Sequence, residues 1–151
     1  MSRVYNRSSG LLIGDLNVNL AGVNKEQAEL LKTLITAIHP LSCVFEVTIQ
    51  SLSKTLFTPS KDCNKNYMKD GLLGSLVKGS ILVVDETVMD EGKIDHYGVP
   101  NMQALGKLIK NQTIGLDFKY SQQDLPCAVP VIVLSPKRAL FRDGLYLPLE
   151  T

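Results

Sequence analysis

Two short runs of apolar residues constrain the fold of this chain more than any other feature of its sequence. Residues 81–84 (ILVV) and 129–134 (VPVIVL) contain no charged or hydroxyl side chain. Runs of this length without polar alternation are typical of strands that are buried on both faces, as in parallel sheets. We therefore predict at least two central strands of a parallel sheet.

The segments around these two runs alternate between strand and helix patterns. Helical spacing of apolar residues predicts helices over residues 25–39, 67–77 and 101–111, and residues 57–66 and 90–100 are predicted loops. Further strands are predicted over residues 15–21, 43–49, 113–120 and 145–149. This order predicts an α/β domain of three layers with a mostly parallel sheet, over residues 11–151, after a flexible tail of residues 1–10.

Composition excludes several classes of function. The net charge of +1 gives no basic excess for binding phosphate backbones, so we expect no direct nucleic-acid binding. No apolar run approaches the ~20 residues that span a bilayer, so no membrane association is expected. Three widely spaced cysteines and two histidines form no zinc pattern, and the acidic loop around Asp90 and Asp95 fits no calcium pattern. No metal site is predicted.

Two acids, Asp85 and Glu86, follow directly after the first apolar run. In phosphate-hydrolysing ATPases, an acid pair at this position holds magnesium and orients the attacking water. The same pattern also arises where a strand end simply caps the next turn. Ser135, after the second run, corresponds to a polar sensor of phosphate in such enzymes, and serine before proline is also ordinary turn chemistry.

The phosphate-binding loop that such an acid pair requires is incomplete. Residues 21–28 read AGVNKEQA, so Gly22 is followed by no second glycine and Lys25 is followed by Glu26. The hydroxyl that would bind magnesium is also missing. We therefore predict no catalytic residue and no cofactor, with Gly22 and Lys25 as the remnant of a phosphate loop.

Three longer stretches carry a resemblance to a known family. They are LVVDETVMDEGKID at residues 82–95, GVPNMQALGKLI at 98–109 and DFKYSQQDLPC at 117–127. With weaker matches nearer the start, they resemble the C-terminal part of the mini-chromosome maintenance (MCM) complex-binding protein family. Members of that family are several times longer, so the resemblance covers their terminal domain only.

The resemblance implies an AAA+-like core related to the MCM motor, with a degenerate phosphate loop. It implies that five residues correspond to nucleotide-binding positions of the motor but have no catalytic role here: Gly22, Lys25, Asp85, Glu86 and Ser135. The expected partners are MCM helicase subunits in the nucleus, with chromatin association only through MCM. The implied role is regulation of DNA replication by assembling, chaperoning or unloading MCM complexes, with effects on sister-chromatid cohesion. The alternative is an active or nucleotide-sensing AAA+-type ATPase, which Asp85 and Glu86 alone favour.

Overall fold

A computed structural model describes most of the chain. The described residues are 4–6, 11–13, 17–62, 64–76, 79–118, 120–136, 139–141 and 144–149, the first two ranges for their backbone only. The strands are β1 Val4–Asn6, β2 Leu11–Ile13, β3 Val18–Ala21, β4 Ser42–Glu46, β5 Ser60–Asp62, β6 Tyr67–Lys69, β7 Ile81–Asp85, β8 Thr113–Asp117, β9 Gln122–Pro126, β10 Val131–Ser135 and β11 Leu145–Pro148. The helices are α1 Lys25–Ile38, α2 Ile49–Lys54, α3 Gly71–Gly74 and α4 Gly98–Asn111.

The main sheet has five parallel strands in the order β11-β3-β10-β7-β4. The first apolar run lies in β7 and most of the second lies in β10, and both are inner strands of the sheet, as predicted. The two strands lie next to each other. Leu82, Val83 and Val84 of β7 are fully buried because both faces of the strand are covered. The prediction of an α/β fold with a mostly parallel sheet is confirmed.

Helices cover the two faces of this sheet unequally. On one face, Ala28 of α1 packs with Val23, Val83 and Leu134. On the other face, a larger core joins Leu52 of α2 and Leu105 of α4 to side chains from β4, β7 and β10. A helix layer on each side of the sheet is the arrangement expected of a three-layer domain. No helix of the described residues is long and apolar enough to cross a membrane.

Local structure between residues 49 and 77 differs from the prediction. Ile49, assigned from the sequence to a strand, begins the short helix α2, because Thr48 and Ser51 form a capping box with reciprocal hydrogen bonds of 3.0 and 2.9 Å. The predicted helix over residues 67–77 was wrong. Its described part contains β6 and the single helical turn α3, which starts at Gly71 with a φ of +65°.

A second sheet, in the order β6-β5-β8-β9, combines two strands that precede α4 in the chain with two that follow it. Its β8, which lies within the strand predicted over residues 113–120, forms an antiparallel hairpin with β9. Helix α4 begins at Gly98, three residues earlier than predicted. The Asp95 side chain accepts hydrogen bonds from the N–H groups of Tyr97 and Gly98, next to this start.

Near the start of the chain, β1 and β2 pair antiparallel. The first of these strands falls inside the segment predicted as a tail. The division into residues 1–10 and 11–151 stays a prediction.

Candidate functional site

The residues singled out from the sequence meet at one edge of the main sheet. Ser135 at the end of β10 lies opposite Ala21, which directly precedes Gly22, and Asp85 at the end of β7 lies opposite Leu134. The carboxyl ends of parallel strands are where open α/β folds bind ligands. A cavity of about 380 Å³ at this edge is lined by Gly22, Val23, Asn24, Lys25, Thr87 and Pro136.

The connection from β3 to α1 is too short for a phosphate-binding loop. Only residues 22–24 separate the two elements. If Gly22 were the first glycine of such a loop, its second glycine, lysine and hydroxyl residue would fall at Gln27, Ala28 and Glu29, which already lie inside α1. The sequence therefore lacks these groups at positions where the fold also leaves no loop to carry them.

The start of α1 binds its own cap in place of an external anion. The Asn24 side chain accepts a hydrogen bond of 2.8 Å from the N–H of Gln27, and Gln27 accepts one of 3.0 Å from the N–H of Asn24. The Val23 N–H donates to the Ser135 carbonyl at 3.1 Å. Phosphate sites at helix starts depend on unoccupied N–H groups, and the N–H groups of Val23, Asn24 and Gln27 all have partners within the protein. Lys25 is exposed at the mouth of the cavity.

Asp85 is fully buried and forms an ion pair with Lys32, an α1 residue that the sequence analysis did not single out. The Lys32 Nζ lies 2.9 Å from Asp85 Oδ2, 3.0 Å from Glu46 Oε1 and 2.5 Å from Glu29 Oε1. The other Asp85 oxygen accepts hydrogen bonds from the Thr87 hydroxyl at 2.6 Å and the Thr87 N–H at 2.9 Å. Each carboxylate oxygen thus has a contact within the protein, Oδ1 with Thr87 and Oδ2 with the Lys32 ammonium group.

These contacts fix the charge states of the pair. Burial raises the pKa of Asp85, but hydrogen bonds from Thr87 and Lys32 outweigh burial, so the pKa lies below its ordinary value. Burial also lowers the pKa of Lys32, whereas its bonds to Glu29, Asp85 and Glu46 raise it by more, leaving the pKa above the ordinary value. Both groups therefore remain charged at neutral pH.

Lys32 occupies the position that a cation would take. Within the described residues, Glu29, Glu46 and Asp85 are the acidic group whose oxygens lie close enough to share an ion, within 4.8 Å of one another. The Lys32 ammonium group already contacts all three side chains, so its positive charge balances the carboxylates in place of a bound metal ion. One signal for Lys32 was available in the sequence: it follows Ala28 by four residues on the apolar face of α1, where a charge needs a buried partner.

Glu86 is buried and points at the segment before β11. Its two carboxylate oxygens accept hydrogen bonds from the N–H groups of Leu140 at 2.7 Å and Phe141 at 3.1 Å. Burial raises the pKa of Glu86 above its ordinary value, although the two N–H groups lower it, and the neighbouring charge of Asp85 raises it further. Since both oxygens bind backbone, the side chain serves as a clamp for residues 140–141.

Ser135 also bonds within the protein. Its hydroxyl donates to the Asn19 Oδ1 at 2.7 Å, and the Asn19 Nδ2 donates to the Phe141 carbonyl at 2.6 Å. All three residues are buried. Asn19 was missed by the sequence analysis, although a polar residue inside a strand pattern between Val18 and Leu20 is its visible sign. Glu86 and this chain of bonds hold Phe141 from both its N–H and its carbonyl.

Comparisons with known proteins agree with the resemblance found in the sequence. A family model described as mini-chromosome maintenance replisome factor matches residues 1–151. Mini-chromosome maintenance complex-binding proteins are similar: that of Gallus gallus is 34% identical over 99% of this chain and 24% of its own length. The Homo sapiens protein is 37% identical over 93% of this chain and 22% of its own length. The Drosophila melanogaster protein is 35% identical over 99% of this chain and 25% of its own length. The chain spans about a quarter of the length of these relatives.

Proposed function

This chain belongs to the mini-chromosome maintenance replisome factor family, and we propose from that membership and from the sheet-edge geometry that it is a non-catalytic module that binds MCM complexes. The relatives' name supports MCM complexes as the partner. We assign the binding to MCM helicase subunits in the nucleus. Chromatin association then runs through MCM, with no direct contact to nucleic acid.

The non-catalytic assignment rests on one observation: the carboxylates of Asp85 and Glu86 both bind other groups of the protein. Asp85 would have to release Lys32 to bind magnesium, and Glu86 would have to release two backbone N–H groups to orient water. The first exchange takes from Lys32 the buried one of its three acidic partners. The second leaves two backbone N–H groups without a partner, which costs about 1–3 kcal/mol or more. Gly22 and Lys25, the remnants of a phosphate loop in this proposal, stand beside a helix start that is already capped.

The arrangement of the sheet supports an AAA+-like origin for the domain. Numbered along the chain, its five parallel strands have the order 5-1-4-3-2, and the connection after the first strand leads directly to a helix. The remnant loop, the acid pair and Ser135 lie at the carboxyl ends of the first, third and fourth strands, respectively, as they would in a nucleotide-binding relative. In this proposal the domain keeps the scaffold of a motor and serves in the assembly, chaperoning or unloading of MCM complexes, and through it in sister-chromatid cohesion.

Binding of purified MCM subunits to the immobilised 151-residue chain tests the proposal. We expect at least one subunit, or the assembled complex, to bind with saturable affinity. The control is Leu105→Asp, which places a charge in the core and is expected to unfold the chain and abolish binding. Failure of every MCM subunit and of the complex to bind the folded wild-type chain would refute the proposed function.

The non-catalytic part is tested separately by titrating ATP with magnesium in a calorimeter. We expect no binding heat up to millimolar ATP, and no phosphate release on prolonged incubation. Lys25→Ala is the informative variant because Lys25 is exposed and its removal leaves the buried pair intact. Micromolar ATP binding that is lost in Lys25→Ala would identify a working nucleotide site instead.

A further inference from the structure

The last strand of the main sheet, β11, has few contacts with the rest of the protein. It pairs with β3 along one edge, and no strand of the described residues pairs with its other edge. Leu145, Tyr146 and Leu147 of β11 are 49%, 51% and 41% exposed, whereas Val131 and Val133 of the inner strand β10 are almost fully buried. Segments with few buried apolar contacts open at a lower free-energy cost than core strands. This strand therefore meets the conditions for opening on its own.

The chain just before β11 is held firmly. Phe141 is 6% exposed and packs in the larger core. Its N–H donates to Glu86 at 3.1 Å, and its carbonyl accepts a hydrogen bond of 2.6 Å from Asn19 Nδ2. Releasing Phe141 would expose its ring and take one hydrogen-bond partner from each of these buried side chains, which is costly. We therefore expect Phe141 to stay in place when β11 opens.

Between Phe141 and β11, Gly144 has the geometry of a pivot. Its φ of +108° lies in the region that favours glycine. A Cβ atom at this position would lie 2.8 Å from the Asn17 carbonyl oxygen, so the paired strand requires glycine here. Hinges of moving segments are a few residues that absorb a change in φ and ψ. Glycine has the backbone freedom for such a change.

The far end of β11 lies against the candidate site. Leu149, the residue after the strand, donates its N–H to the Ala21 carbonyl at 2.9 Å. The Leu149 carbonyl oxygen lies 3.1 Å from the position that a Cβ atom on Gly22 would take. Gly22 lines the cavity of about 380 Å³ at the carboxyl edge of the sheet. Moving β11 away would therefore uncover the edge of β3 and the Gly22 side of this cavity.

From these observations we infer that β11 is a hinged strap, which swings away from β3 about Gly144 while Phe141 and the other four strands of the main sheet stay folded. The closed strap completes the sheet and lies against one wall of the cavity. Opening breaks the hydrogen bonds that the N–H groups of Leu145 and Leu149 donate, and it leaves β3 paired with β10. The strap is independent of the proposed MCM binding.

Amide hydrogen exchange of the full 151-residue chain, followed residue by residue by NMR, tests the strap. We expect Leu145 and Leu149 to have protection factors at least about tenfold lower than Phe141 and Leu82. The Phe141 N–H bonds to Glu86 and the Leu82 N–H to a backbone carbonyl beside β10, so these two amides report on the fixed part of the domain. A smaller difference would mean that β11 opens only together with the rest of the domain, and the strap would be wrong.

Two glycine variants test whether the opening is local and where it pivots. Gly144→Ala strains the closed strap and not the open one, because the φ and the close approach to Asn17 both disfavour a Cβ atom. We expect the protection of Leu145 and Leu149 to fall by about tenfold. Gly79→Ala is the matched control: its φ is +90°, no atom lies within 4 Å of the added Cβ, and it lies outside the strap.

Gly79→Ala strains the open and the closed strap equally, so it should lower the protection of Leu82 but leave Leu145 and Leu149 within twofold of the wild type. If it lowers the protection of Leu145 and Leu149 as much as that of Leu82, β11 opens only by global unfolding and the strap is overturned. If folded Gly144→Ala leaves Leu145 and Leu149 unchanged, the pivot is overturned. If Gly144→Ala does not fold, the wild type and Gly79→Ala decide between a strap and global unfolding.

Discussion

Lys32 is the residue on which the buried charge at the sheet edge depends. Its ammonium group pairs with Asp85, which has no exposure, and with the more exposed Glu29 and Glu46. Removing one partner of a buried ion pair is costly because the remaining charge stays desolvated. The pair therefore stabilises the fold only while both members are present.

Lys32→Met should accordingly lower the free energy of unfolding by about 3 kcal/mol, the lower end for a broken buried pair. Urea denaturation of the wild type and the variant measures this difference. Lys25→Met is the matched control, since Lys25 is exposed on the same helix and its loss should change stability by less than about 0.5 kcal/mol. Equal effects of the two substitutions would show that the Lys32 ion pair contributes no special stability.

Glu86 gives the protein a pH dependence of definite sign. Its folded-state pKa is raised by burial, so the protonated form is favoured by folding. This stabilisation is complete below the unfolded pKa of about 4.3 and is lost as the pH rises through the folded pKa. Asp85 has the opposite sign: its lowered pKa gives stability above about pH 3.9 that is lost as the pH falls.

We expect the stability of the wild type relative to Glu86→Gln to decrease as the pH rises from 4 to 8. The variant cannot titrate, and glutamine offers one acceptor oxygen where Leu140 and Phe141 need two, so it should also be about 1–3 kcal/mol less stable at pH 4. Urea denaturation at each pH provides the measurement, with exposed Glu91→Gln as the control. A wild-type advantage that grows with pH contradicts the assigned sign.

At the scale of elements, side-chain caps mark where the helices α1 and α2 begin. Helix α1 starts with a capping box between Asn24 and Gln27, and α2 with one between Thr48 and Ser51. Asn24→Ala should destabilise the protein by about 1 kcal/mol and speed hydrogen exchange in the first turn of α1. Asn64→Ala, in an exposed turn, is the control for exchange. Unchanged exchange in α1 would mean that packing alone fixes the helix start.

The sequence predicted the helices and strands that have a long hydrophobic pattern. It missed those whose start depends on one or two side-chain hydrogen bonds. The apolar runs of β7 and β10 and the periodicity of α1 identify these elements without further information. Helix α2 is six residues long, and its capping box, Thr48 and Ser51, lacks the glutamate or glutamine that marks such a box in a sequence. The predicted helix over residues 67–77 failed because two glycines, Gly71 and Gly74, allow only one turn.

The sequence predicted where the candidate site lies but not which residues its side chains bind. Strand ends marked by Asp85, Glu86 and Ser135 meet because parallel strands end at a common edge. That Lys32 reaches Asp85 depends on the placement of α1 over the sheet, a tertiary relation that spacing along the chain does not encode. The backbone partners of Glu86 lie 54 and 55 residues away for the same reason.

For the whole molecule, the proposed non-catalytic role predicts a sheet edge that needs no dissolved ion, because Lys32 already contacts Glu29, Glu46 and Asp85. The proposed binding of MCM subunits should therefore be equally tight with magnesium and ATP, with magnesium alone, and with excess chelator. Affinity measurements in the three buffers, on MCM subunits shown to stay folded in each, check this expectation. Affinity that changes with ATP for the wild type but not for Lys25→Ala would indicate a nucleotide-dependent module.

The three-residue connection between β3 and α1 also bears on the history of the domain. A loop that wraps a phosphate needs more residues than this connection has, and the positions that would supply its key groups are committed to α1. Point substitutions can change side chains there, but they cannot lengthen the backbone. If the ancestor of this domain hydrolysed nucleotides, only an insertion between β3 and α1 could restore that activity. The residues at the sheet edge are then free to change as long as they keep the fold.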